Sequence, residues 1–357
     1  MNIDFIKLIP SALTITYVTY GTCYLIKDIF CSIFPFSILL TVALVALIHF
    51  FRVPPPDPQI VDVILGKEPH ENVDGNDYVL KTVAHRGAGL DAPENTLTAF
   101  KMCAEKGCDF IEFDIKLTQD GVPVVFHDST LERIADIDME ICKTQWEDLK
   151  VINLSVKHPL RDRYGVTNIP TLEQAVDQML VCGQRMFIDI KDNDTKVVGV
   201  IHDLFVRKEE LYSRAVVSSF FPNIIYLIRR GNPKIVCSLA WRPHFFAYES
   251  YKYPEGKGSK RATAWHKHIL NELNDIVYAW CLPRITYYFL GLSALLLHKD
   301  ALSGDIILQW KKKGIRVIPW SVNSPIEKQH IARNLKISYL TDTLTGENTV
   351  HCNSNVN

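Results

Sequence analysis

No two cysteines in this 357-residue chain are spaced as a Cys-x-x-Cys pair. The nine cysteines are scattered and odd in number, which supports neither a zinc knuckle nor a disulfide framework and leaves the redox compartment open. A strong charge of either sign is also missing. The formal net charge is −1, so there is no electrostatic case for nucleic-acid binding. A glycine-rich dinucleotide fingerprint is lacking as well. Disorder is excluded by 47% hydrophobic against 22% charged residues, and the length suits one large domain with extra segments.

The longest gap in charge is "IFCSIFPFSILLTVALVALIHFF" (29–51), which holds no Asp, Glu, Lys or Arg. About 20 mainly apolar residues are enough to span a bilayer. The run before it, "FIKLIPSALTITYVTYGTCYLI" (5–26), is broken only by Lys7 but is richer in threonine and tyrosine. Residues 1–52 are therefore expected to form a membrane anchor of one or two transmembrane helices, closed by Arg52 and "PPPDP". A cleaved signal peptide is the competing reading of the first run, but no compact apolar core with a small-residue cleavage site stands out. Flanking charges are too few to set the orientation. Residues 53–79 read as a linker and 347–357 as a polar tail.

From residue 80 to 346, short β-branched runs alternate with helical segments. The runs are 81–85, 108–118, 122–128, 185–191, 214–220, 234–241, 292–298 and 315–323. Helices are predicted over 95–106, 171–182 and 303–313, each stopped by a glycine (Gly107, Gly183, Gly314). Eight apolar strands alternating with helices predict an α/β fold, a closed (β/α)8 TIM barrel; an open doubly wound sheet is the alternative. An insertion, about 242–291, separates the sixth and seventh strands. It opens polar and ends apolar and aromatic, and Arg284 argues against a free transmembrane helix there. Two readings stay open: a helix packed on the barrel, or an amphipathic element on the bilayer beside the active-site mouth.

Parity singles out the chemistry. Glu112 and Asp114 in "IEFDIK" are two apart and share a strand face, as do Asp189 and Lys191 in "FIDIK". Carboxylates in apolar strands are costly to bury unless paired or bound to a metal. Glu112, Asp114 and Asp189 therefore make a candidate site for a hard divalent cation; ordinary salt bridges to Arg86 and Lys191 are the other reading. All sit at C-terminal strand ends, the face on which β/α barrels carry their active sites. His85 and His127 flank the set as a candidate general acid and base. Asn95 or Thr96 is the expected helix cap, and Glu94 either buttresses Arg86 or favours the helix start.

In order along the chain, "HRGAGLDAPENTLTAF", "IEFDIKLTQDGVPVVFHD", "FIDIK" and "VIPWSVN…YLTD" resemble the successive motifs of the glycerophosphodiester phosphodiesterase family, over about residues 81–345. The apolar N-terminus and "WHKHILNELNDIVYAW" are similar to its membrane-anchored animal branch. The resemblance implies a β/α barrel and divalent-metal-dependent hydrolysis of glycerophosphodiesters, such as glycerophosphoinositol, to glycerol 3-phosphate and an alcohol. It implies His85 and His127 as the acid/base pair, and Glu112, Asp114 and Asp189 as ligands of one divalent cation, Mg²⁺ in preference to Ca²⁺. Arg86 and Lys191 correspond to phosphate contacts, and Trp320 offers an apolar wall for glycerol. The expected partners are that substrate and the bilayer. An alternative is a lysophospholipase D acting on lyso-N-acylphosphatidylethanolamine or similar lyso-lipids. Another is a non-catalytic membrane scaffold, which would be expected to have lost some of these side chains; none is lost. The stretch "ADIDMEIC" (135–142) departs from the family's threonine- and glycine-rich turn. The resemblance, with the sequons at Asn153 and Asn193, favours an integral membrane protein of the plasma membrane or endomembranes with a lumenal or extracellular catalytic domain.

Overall fold

A computed structural model describes residues 3–68, 78–347 and 350. The chain divides into two units, Met1–Arg52 and Val53–Asn357. The first is a single helix, Ile3–Phe51. Its segment Leu13–Phe51 is, among the described residues, the one helix long and apolar enough to cross a membrane. At 1.5 Å per residue its 39 residues run to ~60 Å, about twice the hydrocarbon thickness of a bilayer. The two apolar runs read from the sequence are thus continuous in one element.

Among the described residues the second unit is built on eleven strands: β1 (Thr82–His85), β2 (Phe110–Leu117), β3 (Pro123–Val125), β4 (Arg185–Ile190), β5 (Ala215–Ser219), β6 (Cys237–Trp241), β7 (Tyr251–Lys252), β8 (Gly256–Lys257), β9 (Ala294–His298), β10 (Arg316–Trp320) and β11 (Tyr339–Thr341). Eight of them pair in parallel in the order β10-β9-β6-β5-β4-β2-β1-β11. The Val322 N–H donates to the Leu340 carbonyl at 2.8 Å and nearly closes the ring between β10 and β11. The fold is the expected TIM barrel with one stave exchanged. The 122–128 run is not a barrel strand: β3 pairs antiparallel with β2. Five residues separate them, enough for a hairpin, whereas a parallel return needs a crossover of a dozen or more. The eighth stave is β11, only three residues long, too short to stand out as an apolar run.

The predicted helices are present as Leu97–Glu105, Leu172–Val181 and Gly304–Lys311. Their N-caps are Thr96, Thr171 and Ser303, each side-chain oxygen accepting a backbone N–H; at Thr171, Gln174 completes a capping box. Strand parity sorts the core. Ile111, Phe113 and Ile115 of β2 and Met186, Ile188 and Ile190 of β4 face the helix layer. Phe110 and Phe187 point inward with Val83, Val216, Leu296, Ile318 and Leu340. Within the stretch read as a linker, Pro58–Leu65 forms a helix that buries Val61, Ile64 and Leu65 against that interior at the N-terminal end of the staves. Burying Ile64 and Leu65 fully contributes about 1.5–3 kcal/mol each. The polar tail lies mostly outside the described residues, as do 69–77 of the linker.

The insertion follows β6. It contains the β7–β8 hairpin, a helix Trp265–Cys281, a wide turn Leu282–Thr286 and a last turn Tyr287–Leu290 before β9.

Candidate active site

β1 ends at His85, and the chain then reverses through three consecutive left-handed residues, Arg86 (φ 53°), Gly87 (φ 74°) and Ala88 (φ 62°). A Cβ on Gly87 would approach Ala99 Cβ and Phe100 Cδ1 to 2.9 Å each, so glycine is required there. Arg86 and Ala88 each cost about 1 kcal/mol or more in this conformation, a strain typical of functional loops. The turn aims the Arg86 backbone N–H at Glu112 Oε2, 3.0 Å away.

The inward parity of β2 and β4 carries Glu112, Asp114, Asp189 and Lys191 to the C-terminal mouth. One oxygen from each of the three carboxylates lies within 4.8 Å of the others, all three buried. Lys191 Nζ lies 2.8 Å from Asp114 Oδ1 and also pairs with Asp189. Arg86 Nε is 3.3 Å from Asp114 Oδ2, and its Nη1 donates to Glu94 Oε1 at 3.0 Å. Asp114 Oδ1 and Asp189 Oδ1 nonetheless accept no hydrogen bond. Buried carboxylate oxygens converging from neighbouring strands, Asp189 Oδ1 without a hydrogen bond and Asp114 Oδ1 beside the Lys191 ammonium, suit a hard divalent cation. Burial raises the Asp114 carboxyl, but Lys191, His127 and Arg86 outweigh it and hold it well below the usual carboxylate range. Burial and the neighbouring Asp114 push Glu112 up to about 8.

Both histidines have one ring nitrogen held by a carboxylate. His85 Nδ1 is 2.5 Å from Asp342 Oδ1 and 3.1 Å from Ser321 Oγ, while Nε2 stands 3.7 Å from Glu112 Oε2. His127 Nδ1 is 2.6 Å from Asp128 Oδ1. Burial lowers the His85 imidazole, but Asp342 and Glu112 reverse this and its pKa is raised. Burial dominates at His127, whose pKa is lowered.

A cavity of about 630 Å³ opens over these groups. Seven of the eight residues singled out from the sequence line it: His85, Arg86, Glu112, His127, Asp189, Lys191 and Trp320. Asp114 sits behind, fully buried. Trp320 donates its indole N–H to the Leu296 carbonyl at 3.1 Å and meets Phe220 edge-on. The insertion supplies a further wall with Phe245 and Arg261.

Several partners escaped sequence reasoning. Asn95, buried at φ 58°, is not the cap: its amide donates to Asp114 Oδ2 at 2.8 Å and accepts the Asp114 backbone N–H at 3.1 Å. Glu94 takes the first of its two expected roles, pairing with Arg86, and what was missed is that it is shared with Arg133. Asn323 receives the Asp342 backbone N–H and donates to Asp342 Oδ2, both at 2.8 Å. The available signal for Asp342 was an acid at the end of "YLTD", hidden because that strand was not counted. Inward-facing His298 ends β9 and reaches the same cavity. The 135–142 stretch packs Ile141 into a satellite cluster with Leu131 and Ala135, and Ser129 beside it lines the cavity.

The model of the glycerophosphoryl diester phosphodiesterase family matches residues 85–343. Glycerophosphodiester phosphodiesterase 1 of Rattus norvegicus is 32% identical over 307 residues, 86% of this chain and 88% of its own. The protein of that name from Homo sapiens is 34% identical over 265 residues, 74% of this chain and 78% of its own. In fold, the chain is similar to an Oleispira antarctica phosphodiesterase solved in complex with the product sn-glycerol-3-phosphate, with TM-score 0.57 and 21% identity over 76% of this chain and 94% of that one.

Proposed function

The chain belongs to the glycerophosphoryl diester phosphodiesterase family and is a phosphodiesterase of that class, and from this we propose that it cleaves small glycerophosphodiesters, such as glycerophosphoinositol, to glycerol 3-phosphate and an alcohol. The observation that carries the reading is the convergence of three buried carboxylates within 4.8 Å beneath a cavity lined by two carboxylate-held histidines. Glu112, Asp114 and Asp189 would hold one divalent cation, Mg²⁺ in preference to Ca²⁺. When bound, the cation supplies positive charge against a phosphoryl oxygen. Arg86 and Lys191 add charge to the same oxygens, the arginine with a fork suited to phosphate. Asp342 and Asp128 each fix one ring nitrogen of His85 and His127, leaving Nε2 of each for the substrate. One imidazole takes the proton of the attacking hydroxyl and the other gives one to the departing alcohol oxygen. Trp320 walls the glycerol side.

Purified full chain in detergent tests this directly by release of glycerol 3-phosphate from glycerophosphoinositol. Chelation should abolish release and added Mg²⁺ restore it more fully than Ca²⁺; activity indifferent to chelator would sink the metal assignment. The aromatic wall of Phe220, Phe221 and Phe245 favours a second reading, hydrolysis of lyso-N-acylphosphatidylethanolamine at the same centre. A preference for that lipid over glycerophosphoinositol in the same assay would establish it.

The division that follows is an anchor over 1–52, a linker over 53–79 with its plug helix, a barrel over 80–346 with the insertion at about 242–291, and a tail over 347–357. We place the protein in the plasma membrane or endomembranes with the barrel lumenal or extracellular. Asn193 is exposed and Asn153 half-buried. A mobility shift on glycosidase treatment supports that side; proteolysis of the barrel from the cytosolic face of sealed vesicles opposes it.

A further inference from the structure

The insertion helix Trp265–Cys281 turns its acids, His268 and Tyr278 inward and, beside exposed Lys267 and Asn274, presents a broad apolar face to solvent, unlike an ordinary surface helix. On the inner face, the Asp275 carboxylate accepts the backbone N–H groups of Phe246 and Ala247, both at 2.9 Å. Glu272 accepts the Tyr248 hydroxyl at 3.0 Å, and His268 is buried beside it. The outer face, an arc of about 140° at 3.6 residues per turn, carries Trp265, Ile269, Leu273, Ile276 and Trp280, with Leu270 and Val277 along one edge. All are exposed, Trp265 to 74% and Ile276 to 66%. The arc's single polar residue is His266, and it contains no acid.

We propose that this face lies in the interfacial layer of a lipid bilayer. The start of the barrel unit names the occupant. Val53, two residues beyond the end of the apolar helix at Phe51, donates its backbone N–H to the Phe289 carbonyl at 2.9 Å. Fully buried Arg229 donates to the carbonyls of both Pro54 and Leu290. Gly291 packs so closely on this junction that a Cβ there would meet Val53 O at 2.5 Å. Phe289–Gly291 close the same insertion, so chain leaving a membrane-spanning segment is tied within the barrel unit to the end of this helical stretch.

The chemistry agrees. Aliphatic residues between Trp265 and Trp280 match the interfacial preference of tryptophan flanking an apolar stripe. A protein interface carries roughly one hydrogen bond per 100–200 Å², and this arc offers only His266 and the indole N–H groups of Trp265 and Trp280 for that purpose. The 246–247 backbone held by Asp275, and the Tyr248 side chain held by Glu272, follow directly on Phe245, which lines the catalytic cavity. Bilayer contact would therefore bring the mouth of the site to the lipid surface, which deepens the proposed substrate reading but does not depend on it.

The test is photo-crosslinking of the full chain, reconstituted in phosphatidylcholine vesicles doped with a phospholipid bearing an acyl-chain diazirine, with adducts mapped by mass spectrometry. Adducts on 265–280, in addition to those on 13–51, are the expected result. The double variant Leu273→Glu, Ile276→Glu should lose the 265–280 adducts, retain the others and cleave a water-soluble glycerophosphodiester at the parent rate. Adducts confined to 13–51 in the parent chain overturn the proposal. The mapping needs no turnover, so a failed substrate assignment leaves it interpretable.

Discussion

Asp342→Asn changes one atom, yet the hydrogen bonds around it make the change severe. The Asp342 backbone N–H requires the oxygen end of the Asn323 amide, so the Asn323 NH₂ must face Asp342 Oδ2. An asparagine at this position has to offer its own oxygen to that NH₂, which turns its NH₂ toward His85 Nδ1. His85 Nδ1 is then forced to accept, and the neutral ring carries its proton on Nε2, on the substrate side. The lost charge-assisted contact at 2.5 Å is worth about 1.5–3 kcal/mol, or ~10–150-fold in rate. The wrong tautomer adds to this, and the expected fall in kcat is about 10²–10⁴-fold. Asp342 is also the strongest influence raising the His85 pKa against burial. Without its charge the imidazole pKa falls, so if His85 donates the proton, the alkaline limb of the pH–rate profile moves to lower pH. The compensating pair Asn323→Asp, Asp342→Asn presents a carboxylate to the introduced NH₂ and lets the oxygen of the introduced amide face His85 Nδ1–H. It should recover the tautomeric part of the loss but not the part due to charge. Glycerol 3-phosphate release from purified variants, with circular dichroism as a check on folding, measures both. A single variant within threefold of the parent, or a swap no better than the single change, refutes the reasoning.

Three further outcomes follow from the same geometry. His85→Ala and Glu112→Ala should each abolish turnover in a chain that still unfolds cooperatively; near-full activity in either would remove it from the chemistry. Asn95→Ala strips two hydrogen bonds from Asp114 and places alanine at φ 58°, for a loss of about 3–5 kcal/mol in urea unfolding together with activity; by contrast, Ile64→Ala in the plug helix should cost about 2–5 kcal/mol and leave kcat unchanged. Asp128 and Asp342 are both held below the usual carboxylate range, burial being outweighed at Asp128 by His127 and Arg133 and at Asp342 by His85 and Asn323. Their contribution to stability is complete above about pH 4 and is lost as the pH falls further, so the urea midpoint should drop between about pH 4 and pH 2.

The legible part of this molecule is the part written in local periodicity. Alternation along 110–117 and 185–191 placed Glu112, Asp114, Asp189 and Lys191 on shared faces, because side chains on a strand change sides at every residue. Terminal glycines marked the helices. What escaped has a common cause. Three residues of β11 carry too little pattern to read, and β3 looked like a stave because an apolar run does not say which way it pairs. Asn95 read as one of two candidate caps, the other being the actual cap Thr96, because the signal for capping is local, whereas the partner of Asn95 lies 19 residues away.

By itself, the sequence determined the barrel class, the apolar N-terminal segment and the chemical inventory at 85–86, 112–114, 127 and 189–191. Only the tertiary structure decided that Asp342 and Asn323 orient His85, that Glu94 bridges two arginines, and that the insertion helix turns its acids inward and its tryptophans out. Periodicity reports which residues share a face, but not what that face meets. Hydrogen bonds between residues 257 apart, such as His85 to Asp342, exist only once the barrel has brought β1 beside β11.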